Sequence, residues 1–273
     1  MNKVQIHNTE QVKRFVNAVS QFPFDVTISN GRYKIDAKSI MGVFSLDTSK
    51  PCTVEYTTPD ANKLGDSITD NLALQWQLDK QFNSIIEPFR FKAPIVMLVG
   101  VSGCGKSTIA NKLYEEYGLT SINSYTTRKP RYDGELGHVF ISDEEFDNIP
   151  ESDMVAYTEF AGNRYCATQH QLEENDIYII DPTGLINMNR NICSKKIITV
   201  YIIANEEECL KRMIERGNSK EEAWQRIYND RTEFAKMKNV DVDCFLSNNS
   251  VEDLNYAVQK IYNLYCGEVN EIY

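Results

Sequence analysis

The 273-residue chain has no C-x-x-C pair and no cysteine–histidine pattern at zinc-ligand spacing, so its seven scattered cysteines suit neither a metal cage nor a disulfide framework. No apolar run approaches the roughly 18 residues that a membrane helix needs. The first ten residues, M-N-K-V-Q-I-H-N-T-E, hold no apolar signal core. Positive charge is the minority: 29 Lys and Arg stand against 39 Asp and Glu, for a net charge of −10. That balance argues against a broad nucleic-acid or anionic-membrane surface and leaves room only for a local basic cleft. With 42% apolar and 25% charged residues, the composition is globular and long enough for one large or two ordinary domains. A reducing, cytoplasmic setting is the expectation.

Against these absences stands one complete motif. Residues 100–107 read G-V-S-G-C-G-K-S, a G-x-x-x-x-G-K-[ST] loop. The apolar stretch Pro94 to Val99 before it reads as a buried strand, and Thr108 to Tyr117 after it has helical spacing that stops at Gly118. Strand, glycine loop and helix together aim backbone N–H groups and a helix N-terminus at a polyphosphate. Gly100, Ser102, Gly103, Cys104, Gly105 and Thr108 are expected to line that cradle. Lys106 is expected to reach the β- and γ-phosphates, and the Ser107 hydroxyl to ligate Mg²⁺. The sequence thus predicts a nucleoside triphosphate site.

The first ninety residues have a different character. Val4 and Ile6 alternate as a strand, and Thr9 is placed to cap a helix carrying Val12, Phe15, Val16 and Val19. Phe24–Ser29 and Arg32–Asp36 flank Asn30-Gly31, a two-residue hairpin signal. A helical piece over 38–46, a strand over 53–57 and a helix from Ile68 to Ile86, ended by Pro88, complete the order βαββαβα. At residues 36–46, D-A-K-S-I-M-G-V-F-S-L, this segment resembles the HPr family of small phosphocarriers. The resemblance covers about residues 1–88 and implies a small α+β open-faced sandwich, with Ser39 as a regulatory phosphorylation site and a protein partner or regulatory kinase. The phosphocarrier histidine of that family is followed by Ala-Arg-Pro. Here His7 is followed by Asn8-Thr9-Glu10, and Glu10 would repel a phosphoryl group. His7 is therefore not expected to carry phosphate. Residues 89–93 are expected to join this domain to a second one spanning 94–273.

From Ile95 onward strands and helices alternate around the glycine loop, which predicts an α/β domain with a parallel sheet and helices on both faces. S-Y-T-T-R-K-P-R at 124–131, followed by G-E-L-G-H-V-F-I-S-D-E-E-F, resembles the guanylate kinase family. The likeness continues through E-F-A-G-N-R-Y at 159–165, Y-I-I-D-P-T-G at 178–184, C-L-K-R-M-I-E-R-G at 209–217 and F-L-S-N ending at Asn248. It implies an ATP-dependent kinase whose acceptor phosphate is gripped by Arg128, Arg131 and Tyr165. It also implies lid arginines Arg212 and Arg216 closing on ATP, with Arg226 a third and Asn248 beside the nucleotide. Asp181, at a strand end on the ligand side of such folds, is expected to position Mg²⁺ or the acceptor.

The departures concern the base of the acceptor. Aligned on G-N-R-Y, Ala156 stands where guanylate kinases place a guanine-binding glutamate, and Ala167 where they place a serine; Ser124 survives as the other serine. Glu159 is an odd number of residues from Ala156, so a strand would turn it to the opposite face. His138 stands where the family has a second phosphate-binding tyrosine, and a histidine there is similar to the related ribose bisphosphate kinases. The resemblance thus implies a small phosphorylated acceptor, nucleoside monophosphate or sugar phosphate, with GMP a doubtful one. The alternatives are a GMP kinase with a rebuilt pocket and a nucleotide-binding regulatory module.

Overall fold

A computed structural model describes residues 2–48, 50–58, 68–130, 134–135, 137–160, 162–188 and 195–267. The chain divides into two compact units, Met1–Lys92 and Ala93–Tyr273.

The first unit runs β1 (Asn2–Val4), α1 (Thr9–Ser20), β2 (Val26–Asn30), β3 (Tyr33–Asp36), α2 (Ile40–Phe44), β4 (Cys52–Tyr56) and α3 (Ile68–Ile86). Its sheet is antiparallel in the order β1-β4-β2-β3. Val12, Phe15, Val16 and Val19 of α1 and Leu78, Phe82 and Ile86 of α3 share one buried core with Val4, Val26, Ile28 and Val54 of the sheet. Two local expectations shift. The cap of α1 is Asn8, not Thr9: its Oδ1 accepts from the Gln11 N–H at 2.9 Å, and Gln11 Oε1 accepts from the His7 N–H at 2.8 Å. The hairpin loop is Gly31-Arg32, since Asn30 still pairs with Tyr33. Gly31 takes the left-handed φ of 59° at the first loop position, while Asn30 Nδ2 donates to the Asp47 carbonyl at 2.6 Å. Part of the expected 89–93 join packs with the first unit. Phe89 is buried in the first core, its carbonyl accepts from the Gln5 N–H, and the Phe91 N–H donates to the Lys3 carbonyl.

The second unit holds two sheets. The parallel one, β10-β5-β11-β12, consists of β5 (Ile95–Val99), β10 (Ile177–Ile179), β11 (Ile197–Ile203) and β12 (Cys244–Ser247). All five residues of β5 are buried, as a strand inside a sheet covered on both faces requires. The helices of this unit are α4 (Lys106–Tyr117), α5 (Asp143–Asp147), α6 (Gln169–Glu174), α7 (Pro182–Ile186), α8 (Glu206–Glu215), α9 (Lys220–Phe234) and α10 (Val251–Tyr265). The second sheet, β7-β6-β9-β8, is built from β6 (Ser124–Thr126), β7 (His138–Phe140), β8 (Met154–Phe160) and β9 (Asn163–Thr168). Here the expected parallel alternation gives way: β6 and β7 are parallel, but β9 is antiparallel to both β6 and β8. The short 161–162 connection between β8 and β9 permits only a hairpin, because a parallel crossover needs a dozen residues or more.

Candidate functional site

The parallel sheet sends four strand ends to one edge. The phosphate loop follows β5, and Asp181 follows β10, in a register that pairs Ile179 with Leu98. Asn248 follows β12, where Ser247 pairs with Ile203. Ligands of open α/β folds bind at such carboxyl edges.

The glycine loop is folded tightly against its surroundings. Gly103 has a φ of +80° and Gly105 of +99°. A Cβ on Gly103 would lie 2.6 Å from the Cys209 carbonyl oxygen, and one on Gly105 2.1 Å from Asn248 Nδ2. No side chain caps α4, whose N-cap is Gly105, so its first N–H groups are available to an anion. Ser107 and Thr108 are exposed in that first turn. Lys106 Nζ donates to the carbonyls of Gly100 at 2.5 Å and Val101 at 3.1 Å, so the ammonium folds back over the loop. The Ser102 N–H donates at 2.6 Å to Asp230 Oδ2, a carboxylate from α9. Cys104 is fully buried and its N–H donates to the Val101 carbonyl at 3.2 Å, so its side chain lies out of a ligand's reach. Asn248 is 3% exposed, and its Nδ2 donates to the Cys104 carbonyl at 2.8 Å; it braces the loop from beneath.

Of the expected lid arginines, Arg212 sits at the loop: Nη1 donates to the Cys104 carbonyl at 3.4 Å, and Nε donates to Glu208 at 3.0 Å. Arg216, one turn further on, is the exposed C-cap of α8, and its N–H donates to the Arg212 carbonyl at 3.3 Å. Arg226 is half-buried on α9, one turn before Asp230.

The residues expected to hold the acceptor lie on one face of the second sheet. Strand pairing puts Ser124 and Thr126, His138 and Phe140, Tyr165 and Ala167, and Ala156 and Thr158 on the same side. Glu159 pairs with Arg164 on the other side, as its odd spacing from Ala156 requires. Ser124 Oγ and His138 Nδ1 share a hydrogen bond of 3.0 Å, and the His138 and Tyr165 rings lie 5.8 Å apart. Arg128 lies over the Phe140 ring at 5.2 Å. Its guanidinium is held end-on by Glu135, Nη1 to Oε2 at 3.1 Å and Nη2 to Oε1 at 2.8 Å. Both side chains of this pair are largely out of water, 13% and 6% exposed. Glu135 raises the Arg128 pKa against the burial that opposes it, and Tyr165 adds to the effect. The Arg128 Nε atom is buried and without a hydrogen-bond partner among the described residues. Arg131 lies outside those residues.

Ala156 and Ala167 belong to a buried apolar cluster with Tyr178, Leu185 and Met188. Nothing polar is contributed by either side chain. Asp181 Oδ1 accepts from the Gly184 N–H at 2.8 Å and caps α7. Although solvent reaches it at the sheet edge, the desolvation imposed by surrounding protein pushes its carboxyl above the usual aspartate range. Thr183 donates to Glu233, and Lys236 donates to both, forming a polar cluster just beyond. Among the described residues no three His, Cys, Asp or Glu side chains cluster to hold a metal ion. Magnesium carried on phosphates needs only one or two protein oxygens, and the exposed Ser107 hydroxyl suits that arrangement.

Sequence reasoning did not single out Glu135, Asp230, Glu233 or Lys236. Glu135 sits within the quoted G-E-L-G-H segment, seven residues past Arg128, whereas Asp230 reaches the loop across 128 residues and leaves no local signal.

The guanylate kinase family model matches residues 92–264, and the model described as PTS HPr component phosphorylation site matches residues 2–73. The guanylate kinase of Campylobacter jejuni is 36% identical over 137 residues, which cover 45% of this chain and 65% of that protein. The guanylate kinase of Clostridioides difficile is 28% identical over 192 residues, covering 66% of this chain and 91% of that protein. A crystal structure of guanylate kinase from Anaplasma phagocytophilum aligns with 66% of this chain and 88% of its own, at 22% identity and a TM-score of 0.43. The matched length thus falls just short of two thirds of the Campylobacter protein. Through residues 92–264 the chain belongs to the guanylate kinase family.

Proposed function

We propose that residues 93–273 form an ATP- and Mg²⁺-dependent phosphotransferase of the nucleoside monophosphate kinase type, acting on a small phosphorylated acceptor. The observation that carries this reading is the edge of Arg128. Glu135 fixes the guanidinium end-on, with Tyr165 beside it, and among the described residues the buried Nε–H has no hydrogen-bond partner. A buried donor without a partner is costly, and an arginine edge is shaped for a phosphate oxygen. On the donor side, Lys106 exchanges the Gly100 and Val101 carbonyls for phosphate oxygens, and the open first turn of α4 receives the polyphosphate. Arg212, steadied by Glu208 above the loop, adds positive charge where charge moves in the reaction. The bond between the γ-phosphorus and its bridging oxygen breaks as a bond to an acceptor phosphate oxygen forms, leaving ADP. No protein nucleophile takes part; positioning and charge neutralisation suffice.

The acceptor is a nucleoside monophosphate or a sugar phosphate. Ala156 and Ala167, apolar and buried, support weak discrimination among bases. The names of the relatives favour a second reading, a GMP kinase whose guanine contacts come from other residues. Residues 1–92 serve this enzyme as a docking or regulatory element for a protein partner, consistent with the HPr match. A coupled ADP-release assay across GMP, AMP, CMP, UMP and pentose phosphates tests the whole reading. ADP release with GMP alone would favour the second reading, and none with any acceptor would refute both.

A further inference from the structure

The phosphate loop already holds a carboxylate. The Ser102 N–H, one of the amides expected to meet the nucleotide, donates to Asp230 Oδ2 at 2.6 Å across 128 residues of sequence. A charged acceptor at that length is a strong hydrogen bond. The other loop groups are likewise engaged from within: Lys106 with the Gly100 and Val101 carbonyls, Arg212 with the Cys104 carbonyl. Asp230 lies on α9, and α9 follows α8, which carries Arg212. Two helices therefore each send one side chain to the loop, a cation onto a carbonyl and an anion onto an amide.

Resting on the donor reading above, we propose that Asp230 is a built-in competitor for the phosphate loop, an anion that holds the Ser102 amide until a nucleotide polyphosphate displaces it. A polyphosphate brings negative charge to the same small space, and two like charges at such separations repel strongly where water is scarce. Seating the nucleotide therefore requires α9 to withdraw Asp230. Nucleotide binding and the position of α9 become one coupled equilibrium, and apparent affinity falls by the fraction of molecules in which the amide is open. Removing the carboxylate removes that tax.

The test uses the full chain with ATP and MgADP as probes, in wild type, Asp230→Ala and Asp230→Asn. Calorimetry is expected to show both variants binding nucleotide at least fivefold more tightly than wild type. Amide exchange without nucleotide is expected to show Ser102 protected in wild type and opened in Asp230→Ala. Asp230→Asn, nearly the same size, keeps the test alive should the alanine variant fold poorly. If wild type binds nucleotide and the folded variants bind equally or more weakly, Asp230 is a brace for the loop and the inference is overturned. If wild type binds neither nucleotide, the donor reading falls and takes this inference with it.

Discussion

Arg128 meets Glu135 end-on across seven residues of chain, and the two fill one another's charge while nearly buried. Removing the carboxylate with Glu135→Ala leaves a guanidinium without its counter-charge, at a cost of about 3 kcal/mol. Arg128→Lys keeps the charge but loses the fork. Thermal melting is expected to drop clearly for Glu135→Ala. For Arg128→Lys the KM for the acceptor is expected to rise tenfold or more while the KM for ATP stays near wild type. Equal changes in both constants would argue against an acceptor role.

Asn248 supplies the brace beneath the phosphate loop. Asn248→Ala leaves the Cys104 carbonyl without that donor, a cost of about 1–3 kcal/mol. Nucleotide affinity, read by calorimetry, is expected to fall with it. Gly105→Ala is expected to be worse, since its Cβ would collide with the Asn248 amide and the backbone is in the left-handed region.

In the first unit, Ser39 Oγ accepts from the Gly42 N–H at 3.1 Å and caps α2. Ser39→Ala is expected to cost about 1 kcal/mol by denaturant titration. His7 is exposed before α1, with Glu10 in the first turn and its own N–H already given to Gln11. Incubation with phosphoenolpyruvate and the general enzyme of the sugar phosphotransferase system is expected to leave the mass unchanged. An acid-labile phosphate on His7 would show that the missing arginine and proline are dispensable.

Six cysteines among the described residues are buried. Burial pushes the Cys52 and Cys209 thiols up to about 11 and Cys166 up to about 12. A thiol with a pKa near 11 is thiolate in only about one molecule in a thousand at pH 8. A thiol-disulfide reagent at that pH is therefore expected to find at most one fast thiol in the native chain, Cys193 being outside the described residues, and all seven after denaturation. Two or more fast native thiols would contradict the packing.

Much of the fold was legible because its signals are local. The apolar run before Gly100 and the helical spacing after it placed β5 and α4, and Asn30-Gly31 marked the hairpin to within one residue. Errors fell where two adjacent residues compete for one role. Asn8 and Thr9 can both cap α1, and Gln11 decides for Asn8 by bonding back to His7. The antiparallel part of the second sheet followed from the length of one connection, which the strand–helix alternation around it masked. In the site, Lys106 was singled out by the glycine-loop motif and Arg212 by the resemblance to guanylate kinases. Their partners could not be read, because Arg212 to Cys104, Asn248 to Cys104 and Asp230 to Ser102 are each separated by more than a hundred residues.

In the proposed reaction ATP, held by Lys106 and its loop, gives its γ-phosphoryl group to an acceptor that already carries a phosphate. The most direct measurement is the rate of ADP formation by the full chain with each nucleoside monophosphate and pentose phosphate, beside the matching unphosphorylated nucleosides and pentoses. Turnover is expected only with phosphorylated acceptors, with kcat/KM for GMP within about 10³ of the other nucleotides, the scale of direct base recognition. Lys106→Ala is expected to abolish it. Turnover that survives Lys106→Ala, or that proceeds equally well with unphosphorylated acceptors, would rule this reaction out.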